Sequence, residues 1–396
     1  IDTTLQSSHL LVDALVGTGL NRVLQGRYRE FIEVMNRSGV PIISLDLPSG
    51  LDATSGGVYG CIVRATHTIT FGHLKRGLLT TYGHEYGGNL TVSHLGVPST
   101  PLAGLQCDAH LLELHDVIDA LPSRSPTIHK AQAGRVGIIG GSSGTVGAAR
   151  LAAHGALRAG AGLVTIASHP QTVEELELSV REVMTKSLNG DEGDSEFLNK
   201  LDTLVIGPGL GRSEQSRNFL EQSLKTAIPL VIDADALHLL TEVWRPSFVK
   251  KDQDHSLRVL TPHAGEAAAL LGTNSEAIEA DRFDAAKEIA RRFQSFVVLK
   301  GSRPILVGPE GPWYISAFGS PALATGGSGD IFSGLLGGMM VGAGTPAEIV
   351  RRVQLSLVLQ GRAAEEWTKQ HGLEGLIASE IADLIPQVIT SLRQQA

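Results

Sequence analysis

The residues best suited to chemistry lie in a glycine-rich turn, Thr325–Asp330, which has the sequence TGGSGD. An apolar, helix-like run from Ile331 to Val341 follows it at once. Glycines let the backbone approach a ligand closely, and a helix start offers unpaired N–H groups and a positive dipole end, so the turn is suited to phosphate. A carboxylate beside phosphate is poorly explained by stability, because like charges repel. Asp330 is therefore predicted to be a base that takes a proton from a substrate hydroxyl.

The alternative for this turn is a plain strand-to-helix connection, since glycine-rich turns are common. The position of Asp330 at the start of a long run of small residues favours phosphate binding. The sequence has no GxxxxGK[ST] motif, so the turn is not a Walker-type loop. Lys300 and Gly301 end another apolar run, and a positive charge beside a glycine also suits phosphate, although a lysine at a strand end is usually solvated.

Other special residues follow apolar runs in the second half of the chain. They are Gly207–Gly211, Asp233–Asp235 and Pro262–Glu266. Each motif has a plain alternative, namely a tight connection, a helix cap or a structural histidine. The functional alternative for Asp233 and Asp235 is a site for magnesium or its waters. Because open α/β sheets bind ligands at the carboxyl ends of their strands, we expect a ligand site there.

Two carboxylates close apolar runs in the first part of the chain. Asp13 ends one run, and Asp46 ends another and begins the turn Asp46–Gly50. Buried carboxylates are costly unless they are paired or functional. The alternative is a simple cap or turn. Asp13, Ser49 and backbone carbonyls could together form an oxygen-rich cation site.

Apolar runs and helical spacing predict an α/β architecture, because strand, helix and strand in sequence imply a parallel sheet with crossover helices. Predicted strands are Leu10–Val16, Pro41–Asp46, Thr66–Phe71, Leu90–His94, Arg135–Ile139, Leu163–Ala167, Leu201–Ile206, Leu230–Ile232, Arg258–Leu260, Phe296–Leu299, Ile305–Val307 and Trp313–Ser316. Predicted helices are Tyr28–Asn36, Leu111–Leu121 and Ala148–Ala159. Proline-rich breaks place a domain boundary between Val97 and Thr127. We predict domains at 1–100 and 128–396 with a linker at 101–127.

Composition bounds the function classes. With 396 residues, 42% of them hydrophobic, the chain can form two domains with sizeable cores. A net charge of −8 without a basic stripe argues against nucleic acid as the partner. Only two cysteines are present, which fits a reducing cytoplasm and no disulfide framework. No apolar run approaches the roughly 20 residues of a membrane span.

Taken together, the motifs resemble those of the bifunctional NAD(P)H-hydrate repair enzymes, over nearly the whole chain. In the second part the matching segments are His129-Lys130, Gly140–Ser142, Gly147–Ala149, Ala156–Val164, Gly207–Gly211, Asp233–Leu237, Thr261–Glu266, Lys300-Gly301 and Thr325–Asp330. In the first part they are Val12–Leu15, Gly17–Leu20, Asp46–Gly50 and Thr68–Phe71. So many ordered matches make the resemblance specific.

The resemblance implies a ribokinase-like second domain and a partial Rossmann-like first domain. It implies nicotinamide nucleotide repair, with hydrated NADH and NADPH as substrates. The second domain would be an ADP-dependent dehydratase that phosphorylates the ring hydroxyl of the S hydrate and eliminates phosphate, giving NAD(P)H, AMP and phosphate. The first would be an epimerase that interconverts the R and S hydrates. ADP, magnesium and potassium are the implied co-substrate and ions, and the family's habit implies a homo-oligomer.

For the dehydratase, the resemblance makes Asp330 the catalytic base that activates the ring hydroxyl. The implied neighbours of the hydrated nucleotide are Ala148, Gly209, His263, Gly265, Glu266 and Asp330. The implied ADP-binding residues are Lys300, Gly301, Ser302, Arg303, Pro304, Ile305, Ser320, Pro321, Ala322, Leu323, Ala324, Thr325, Gly326, Gly327, Ser328 and Gly329. The backbone amides of Gly326–Gly329 would stabilise the moving phosphoryl group.

For the epimerase, the resemblance makes Asp46 the acid/base residue, and Asp13 and Ser49 the potassium ligands. The implied substrate contacts are Gly17, Thr18, Gly19, Leu20, Asn21, Arg22, Val23 and Asp46. The chain begins with Ile1 and enters a strand-like run almost at once. We therefore expect that the family's opening segment is missing and that epimerase activity is impaired.

Two other function classes share some of these motifs. A ribokinase-like kinase of a small vitamin precursor would have the same glycine-rich turn and Asp330, and would release a stable phosphorylated product. A non-catalytic nucleotide sensor would keep the pocket, and its behaviour would not change on replacement of Asp330 by Asn. The attached first part and the segments from His129 to Val164 favour repair.

Overall fold

The structure is a computed structural model, and it describes residues 7–97, 107–122, 124–177, 181–248 and 257–395. The chain forms two compact units, residues 1–109 with 274–285 and residues 110–273 with 286–396. Of the predicted linker, residues 101–106 and 123 lie outside the described residues. Residues 110–122 group with the second unit, and 274–285, which we predicted within the second domain, group with the first.

The first unit is built on a parallel four-stranded sheet in the order β1-β2-β3-β4. The elements are β1 (Leu11–Asp13), α1 (Arg27–Arg37), β2 (Ile42–Leu45), β3 (His67–Phe71), α2 (Thr81–Gly87) and β4 (Asn89–Ser93). Ile32 and Met35 of α1 pack with Leu11 and Ile42 of the sheet in one core cluster. The predicted strand Leu10–Val16 ends at Asp13, so the residues from Ala14 onward are loop.

The second unit is built on a sheet that has ten strands within the described residues. They are β5 (Ala109–Leu111), β6 (Arg135–Ile139), β7 (Leu163–Ser168), β8 (Met184–Ser187), β9 (Thr203–Ile206), β10 (Leu230–Ile232), β11 (Arg258–Leu260), β12 (Phe296–Leu299), β13 (Ile305–Val307) and β14 (Trp313–Ile315). Their spatial order is β5-β14-β13-β12-β11-β10-β9-β6-β7-β8. In the order β12-β11-β10-β9-β6-β7-β8 all neighbouring strands pair in parallel, whereas β13 pairs antiparallel with both β12 and β14.

The later helices complete the element list. They are α3 (Leu114–Val117), α4 (Val146–Ala159), α5 (Val173–Glu177), α6 (Ser195–Leu198), α7 (Glu214–Leu224), α8 (Asp235–Val243), α9 (Ala264–Leu271), α10 (Ser275–Ala280), α11 (Arg282–Phe293), α12 (Ser328–Met339), α13 (Pro346–His371) and α14 (Ala378–Gln395). The predicted helix Leu111–Leu121 is wrong in extent: Ala109–Leu111 is a strand, and α3 passes into a 3₁₀ turn at Ile118–Ala120.

Close packing of α4 against α12 fixes where the glycine-rich turn lies. A Cβ placed on Gly334 would lie 1.8 Å from the carbonyl oxygen of Ala152, and one on Gly155 would lie 2.4 Å from that of Ile331. Glycine at these two positions lets the helix backbones touch. Because α12 is held this closely, its first turn, which carries Asp330, has a defined position.

The segment 274–285 supplies polar contacts within the first unit. The Thr81 hydroxyl donates to Glu279 Oε2 (3.0 Å), and Arg282 donates to Glu279 Oε1 (2.7 Å). Arg282 is 1% exposed, whereas Glu279 is 26% exposed, so only the arginine side of the pair is shielded from water. Within the described residues, the structure contains no helix that is both long and apolar enough to cross a membrane.

Candidate active site

Four neighbouring parallel strands bring the predicted motifs to one edge of the second unit's sheet. Gly207–Gly211 follows β9, Asp233–Asp235 follows β10, Pro262–Glu266 follows β11, and Lys300 follows β12. The strands are adjacent in the order β9-β10-β11-β12, so their carboxyl ends are side by side. The structure therefore collects these residues at the position where an open α/β sheet binds its ligand.

Lys300 is held between two carboxylates at this edge. Its Nζ lies 2.8 Å from Asp233 Oδ1 and 3.7 Å from Glu266 Oε2. Burial alone would lower the pKa of Lys300, but the charges of Asp233 and Glu266 and the Asp233 hydrogen bond outweigh it, so the pKa is raised. Lys300 is therefore a fixed positive charge. Ala234, between Asp233 and Asp235, has a left-handed φ of 49°, a strained conformation that clusters at functional sites.

Asp330 lies in the first turn of α12, as predicted. Gly327 begins the helix with a left-handed φ of 88°. A Cβ on Gly329 would lie 3.4 Å from Lys300 Nζ, so the glycine-rich turn and the lysine face each other. Burial, followed by the charge of Asp233, raises the pKa of Asp330 to about 6, although Lys300 opposes the shift. A carboxyl group that titrates near neutrality is suited to act as a general base.

The turn before α12 is anchored to one face of α13, by side chains that sequence analysis missed. Gln360 Nε2 donates to the Ser328 carbonyl (2.8 Å), and Glu365 Oε1 accepts from the Gly319 N–H (2.9 Å). The Ser320 and Thr368 hydroxyls lie 2.6 Å apart. Helical spacing from 360 to 368 places these groups along one face, but nothing in the sequence links that face to the turn.

The two predicted ADP segments differ in how their side chains are placed. Ile305 and Ala322 are buried in the core, so only their backbone atoms could contact a ligand. Gly301, Ser302, Pro321, Ala324 and Gly326 are exposed, and the side chains or backbones of the others are half-buried. Burial lowers the pKa of Arg303 below its ordinary value.

Two of the residues predicted around the hydrated nucleotide, Gly209 and Ala148, lie near each other at the neighbouring turn. The Gly209 carbonyl accepts from the Ser142 N–H (2.6 Å) and the Thr145 hydroxyl (2.9 Å), which places it beside the first turn of α4 that holds Ala148. Gly209 has a left-handed φ of 59°. Its Cβ would lie 2.4 Å from the Thr145 carbonyl oxygen, so no larger residue fits.

His263 is primarily a helix cap. Its Nδ1 accepts from the N–H groups of Gly265 (2.9 Å) and Glu266 (3.3 Å), and Glu266 Oε2 accepts from the His263 N–H (2.8 Å). This capping box leaves the imidazole largely exposed at the sheet edge, with Nε2 3.5 Å from Glu266 Oε1. Capping and ligand contact are therefore compatible at this residue.

Asp46 is the centre of a second polar cluster, in the first unit. It follows β2 with a left-handed φ of 70°. Its Oδ1 accepts from the Phe71 N–H (3.0 Å), the Thr70 hydroxyl (3.2 Å) and Lys75 Nζ. Burial would raise the pKa of Asp46, but the hydrogen bond from Lys75 and the other donors outweigh it, so the pKa is lowered. Lys75 was missed because it follows a loop and no pattern links it to Asp46.

Asp13 is fully buried beneath the same sheet edge. Its carboxylate accepts from the Ser44 hydroxyl (2.8 Å), the Ser49 N–H (2.8 Å) and the Ser49 hydroxyl (2.6 Å). Ser49 Oγ also lies 3.1 Å from the Val16 carbonyl oxygen. Among the residues described, no lysine or arginine pairs with Asp13, and no group of three His, Cys, Asp or Glu forms a ready-made metal site.

The segment Gly17–Val23, whose residues are implied substrate contacts, lies in the loop between β1 and α1. Thr18, Gly19, Asn21, Arg22 and Val23 are exposed, and Gly17 is half-buried. Leu20 is different, because its side chain belongs to the core cluster, so only its backbone could contact substrate.

Solved structures with the same fold define the class of the second unit. A ribokinase-like superfamily protein from Enterococcus faecalis covers 73% of this chain and 98% of its own, with a TM-score of 0.62 at 22% identity. An ADP/ATP-dependent NAD(P)H-hydrate dehydratase from Bacillus subtilis, co-crystallised with ATP and Mg²⁺, is 28% identical over 71% of this chain and 97% of its own, with a TM-score of 0.60. The second unit is thus a ribokinase-like α/β enzyme, as predicted.

Sequence relatives extend across both units. The family model described as NAD(P)H-hydrate dehydratase matches residues 136–387, and that of the YjeF-related protein N-terminus matches residues 1–77. The bifunctional NAD(P)H-hydrate repair enzymes Nnr of Coxiella burnetii and Escherichia coli are 36% and 35% identical, over 94% and 97% of this chain and 74% and 72% of their own. The chain belongs to the family of bifunctional NAD(P)H-hydrate repair enzymes. Its activities are those of an NAD(P)H-hydrate dehydratase and epimerase, which selects repair over the kinase alternative.

Proposed function

We propose that the second unit dehydrates the S hydrate of NADH or NADPH at the sheet edge between Asp330, Lys300 and Gly209, with ADP as phosphoryl donor. Asp330 takes the proton of the ring hydroxyl as the hydroxyl oxygen attacks the β-phosphorus of ADP, and AMP leaves. Loss of phosphate from one ring carbon and of a proton from the adjacent ring carbon, which is released to water, then forms the ring double bond of NAD(P)H. The placement of Asp330 in the first turn of α12, facing Lys300 and with a pKa of about 6, carries this assignment.

The charges and dipoles at this edge support phosphoryl transfer beside Asp330. The N–H groups that begin α12 point toward the transferring phosphoryl group, and Lys300 adds a positive charge held in place by Asp233. Glu266 supports Lys300 from the other side. The residues 300–305 and 320–329 hold ADP, with Gln360 and Glu365 fixing the second segment from behind.

Magnesium enters this site with the nucleotide. The acidic residues described do not form a resident metal cluster, whereas Mg²⁺ is commonly bound by phosphate oxygens and water with one or two carboxylates. Asp233 and Asp235 are the side chains that would face its waters. The chemistry that magnesium supplies is neutralisation of charge on the phosphates.

We propose that Asp46 moves the proton in epimerisation, within the first unit. Lys75 keeps its carboxylate ionised, so Asp46 acts first as a base. The largely exposed loop Gly17–Val23 offers its backbone and Arg22 to the substrate's phosphates. The predicted domains 1–100 and 128–396 correspond to these two activities.

Asp13 and Ser49 fit a potassium ion. A carboxylate with no exposed surface and no cationic partner among the described residues is costly, and a monovalent cation would supply the missing charge. Asp13, Ser49 and the Val16 carbonyl are the oxygens available to it. In that position potassium would order the loop that follows β1.

We retain two proposals that rest on the resemblance and composition, a homo-oligomeric state and a cytoplasmic location. Light scattering of the purified chain measures the first, and fractionation of its host measures the second. A monomer at micromolar concentration would contradict the oligomer.

The experiment for the repair function follows NADH absorbance after the chain, ADP and magnesium are added to a mixture of S and R NADH hydrate. Recovery of the S fraction that depends on ADP supports the dehydratase. Recovery of the R fraction faster than spontaneous interconversion supports the epimerase. No ADP- or ATP-dependent recovery, from a chain shown to be folded, would contradict the assignment of the second unit.

A further inference from the structure

Asp235 ties the turn after β9 to the helix after β10. The carboxylate accepts from the Gly211 N–H at Oδ2 (3.0 Å) and from Arg212 Nε at Oδ1 (3.1 Å). Its orientation is set by Ala234, whose left-handed backbone begins α8. The guanidinium of Arg212 is thus held at a defined place on the rim of the sheet edge.

The way Asp235 holds Arg212 leaves its outer end available. The contact uses Nε, one of five N–H donors, and leaves the two Nη groups with four. Within residues 7–97, 107–122, 124–177, 181–248 and 257–395, neither Nη group makes a hydrogen bond, and the side chain is 55% exposed. A guanidinium fixed through Nε presents its Nη pair as a fork that matches phosphate oxygens.

The position of Arg212 is beside the residues assigned to the hydrated nucleotide. Gly209 is three residues earlier in the same turn, and His238 lies three residues after Asp235, on the same face of α8. Burial, followed by the charge of Arg212, lowers the pKa of His238, whereas Glu266 and Asp235 oppose the shift and His263 adds to it. Arg212, His238 and His263 therefore belong to one rim.

The negative charge at this sheet edge means that an anionic substrate needs a positively charged hydrogen-bond donor there. Asp233, Glu266 and Asp330 make the edge acidic, yet the hydrated dinucleotide is itself an anion. Lys300 is engaged by Asp233 and faces the start of α12, where ADP is proposed to bind. The dinucleotide's own phosphates thus need a donor on the Gly209 side of the edge.

We propose that Arg212 is a substrate-binding residue that holds a phosphate of the hydrated dinucleotide through its Nη groups, with Asp235 as the positioning residue. This inference rests on the proposed dehydratase function of the second unit. Two phosphates have the required chemistry: the pyrophosphate, shared by NADH and NADPH hydrates, and the 2′-phosphate, present only in the NADPH hydrate.

The test measures kcat and KM of the ADP-dependent reaction for each hydrate in Arg212→Ala. Losing hydrogen bonds to a charged group should raise KM about 10- to 100-fold while kcat at saturation and the KM for ADP stay within about twofold. An increase in KM for both hydrates would show that Arg212 binds the pyrophosphate. An increase in KM for the NADPH hydrate alone would show that it binds the 2′-phosphate. Unchanged KM for both hydrates would overturn the proposal.

Arg217→Ala is the matched control, because Arg217 on α7 pairs through Nε with Glu242 on α8 at 2.6 Å, as Arg212 does with Asp235, but lies within a helix. The KM values of Arg217→Ala should match those of the wild type, and a rise equal to that of Arg212→Ala would also overturn the proposal.

Arg212→Lys keeps the positive charge but lacks the paired Nη donors, so it should recover only part of the affinity. Asp235→Asn alone should raise the KM for the hydrate, but it should add little to that KM when combined with Arg212→Ala. A contribution of Asp235 to magnesium would appear instead in the KM for ADP. Failure of the repair function itself would appear separately, as absent turnover in the wild type.

Discussion

Asp46 in the first unit follows a parallel strand, and Asp330 in the second unit lies in the first turn of α12. The environments of these two aspartates are opposite. Asp46 accepts hydrogen bonds from Phe71, Thr70 and Lys75, which together outweigh burial and lower its pKa. Asp330 has Asp233 and Glu266 as neighbours as well as Lys300, and burial with the nearest negative charge raises its pKa to about 6.

The difference suits the two roles proposed for these carboxylates, which are two kinds of proton transfer. A carboxylate stabilised by donors stays ionised, and its proton affinity is low until substrate arrives. A carboxylate that is buried among other acids has a higher proton affinity near neutrality, which suits removal of a proton from a hydroxyl. Burial raises the pKa in both cases, and the balance between hydrogen-bond donors and nearby negative charges decides the outcome.

The largest expected effect is the selective loss of one activity in each of two variants. Asp330→Asn should lower ADP-dependent NADH recovery by about 10²–10⁴-fold, the usual loss when a general base is removed, and leave epimerisation unchanged. Asp46→Asn should remove the catalysed epimerisation that this chain retains and leave dehydration of pure S hydrate unchanged. If either variant impaired both reactions equally, the two carboxylates would not serve separate activities.

The second effect is on stability, and its sign should differ between the sites. The folded-state pKa of Asp330 is raised from 3.8 to about 6, so the unfolded chain is the more ionised form and folding weakens as pH rises across that window. Asp330→Asn should therefore stabilise the second unit at pH 7 by about 1–3 kcal/mol, and the gain should vanish near pH 4. Thermal unfolding at the two pH values measures it.

The same measurement on Asp46→Asn should show the opposite sign. The pKa of Asp46 is lowered on folding, so its ionised form stabilises the first unit above the ordinary pKa, and that contribution is lost as pH falls through the lowered value. Removing the charge should lower the Tm of the first unit at pH 7. A stabilised first unit would show that Lys75 does not offset burial.

The third effect compares two glycines of the glycine-rich turn, Gly326 and Gly327, in their contributions to stability and to ADP binding. A Cβ on Gly327 would lie 2.4 Å from Leu151 Cδ1 at a left-handed φ, whereas one on Gly326 would meet nothing within 4 Å. Gly327→Ala should destabilise the second unit by about 1–2 kcal/mol. Gly326→Ala should leave Tm unchanged and raise the KM for ADP several-fold, since its methyl would occupy ligand space. Equal Tm values for the two variants would contradict this division.

The smallest effect is a displacement of the acid limb of the dehydratase pH profile, which should lie near pH 6 in the wild type. Asp233→Asn removes a negative charge that raises the pKa of Asp330, and it also frees Lys300 to act on Asp330. Both changes move the limb to lower pH. A limb that moved upward would show that Asp330 is not the group that titrates.

Sequence patterns predicted the sheets well where buried strands alternate with helices. Arg135–Ile139, Leu230–Ile232, Arg258–Leu260 and Phe296–Leu299 have the predicted bounds, because short continuous apolar runs ended by special residues have few alternatives. The strand Ala109–Leu111 was missed, since its partner Trp313–Ile315 is distant in sequence and a three-residue run carries no periodicity.

Sequence patterns drew attention to residues at strand ends and passed over those that contact them from a distance in sequence. Asp330, Lys300 and Asp46 became candidates because glycines or a strand end mark them. Lys75 and Gln360 were missed because one lies in a loop and the other on an ordinary helix, and only the folded chain brings them to Asp46 and Ser328. The roles of all these residues stay predictions until the variants are measured.

The inclusion of residues 274–285 in the first unit has a consequence for biosynthesis. Domains generally fold as they leave the ribosome, but this unit cannot be completed when residue 109 emerges, because Glu279 and Arg282 are encoded after residues 110–273. Translation of that stretch takes on the order of 10–30 s at roughly 5–20 residues per second. During that interval Thr81 lacks its Glu279 acceptor. The nascent first unit therefore cannot complete its packing until the segment 274–285 has been synthesised.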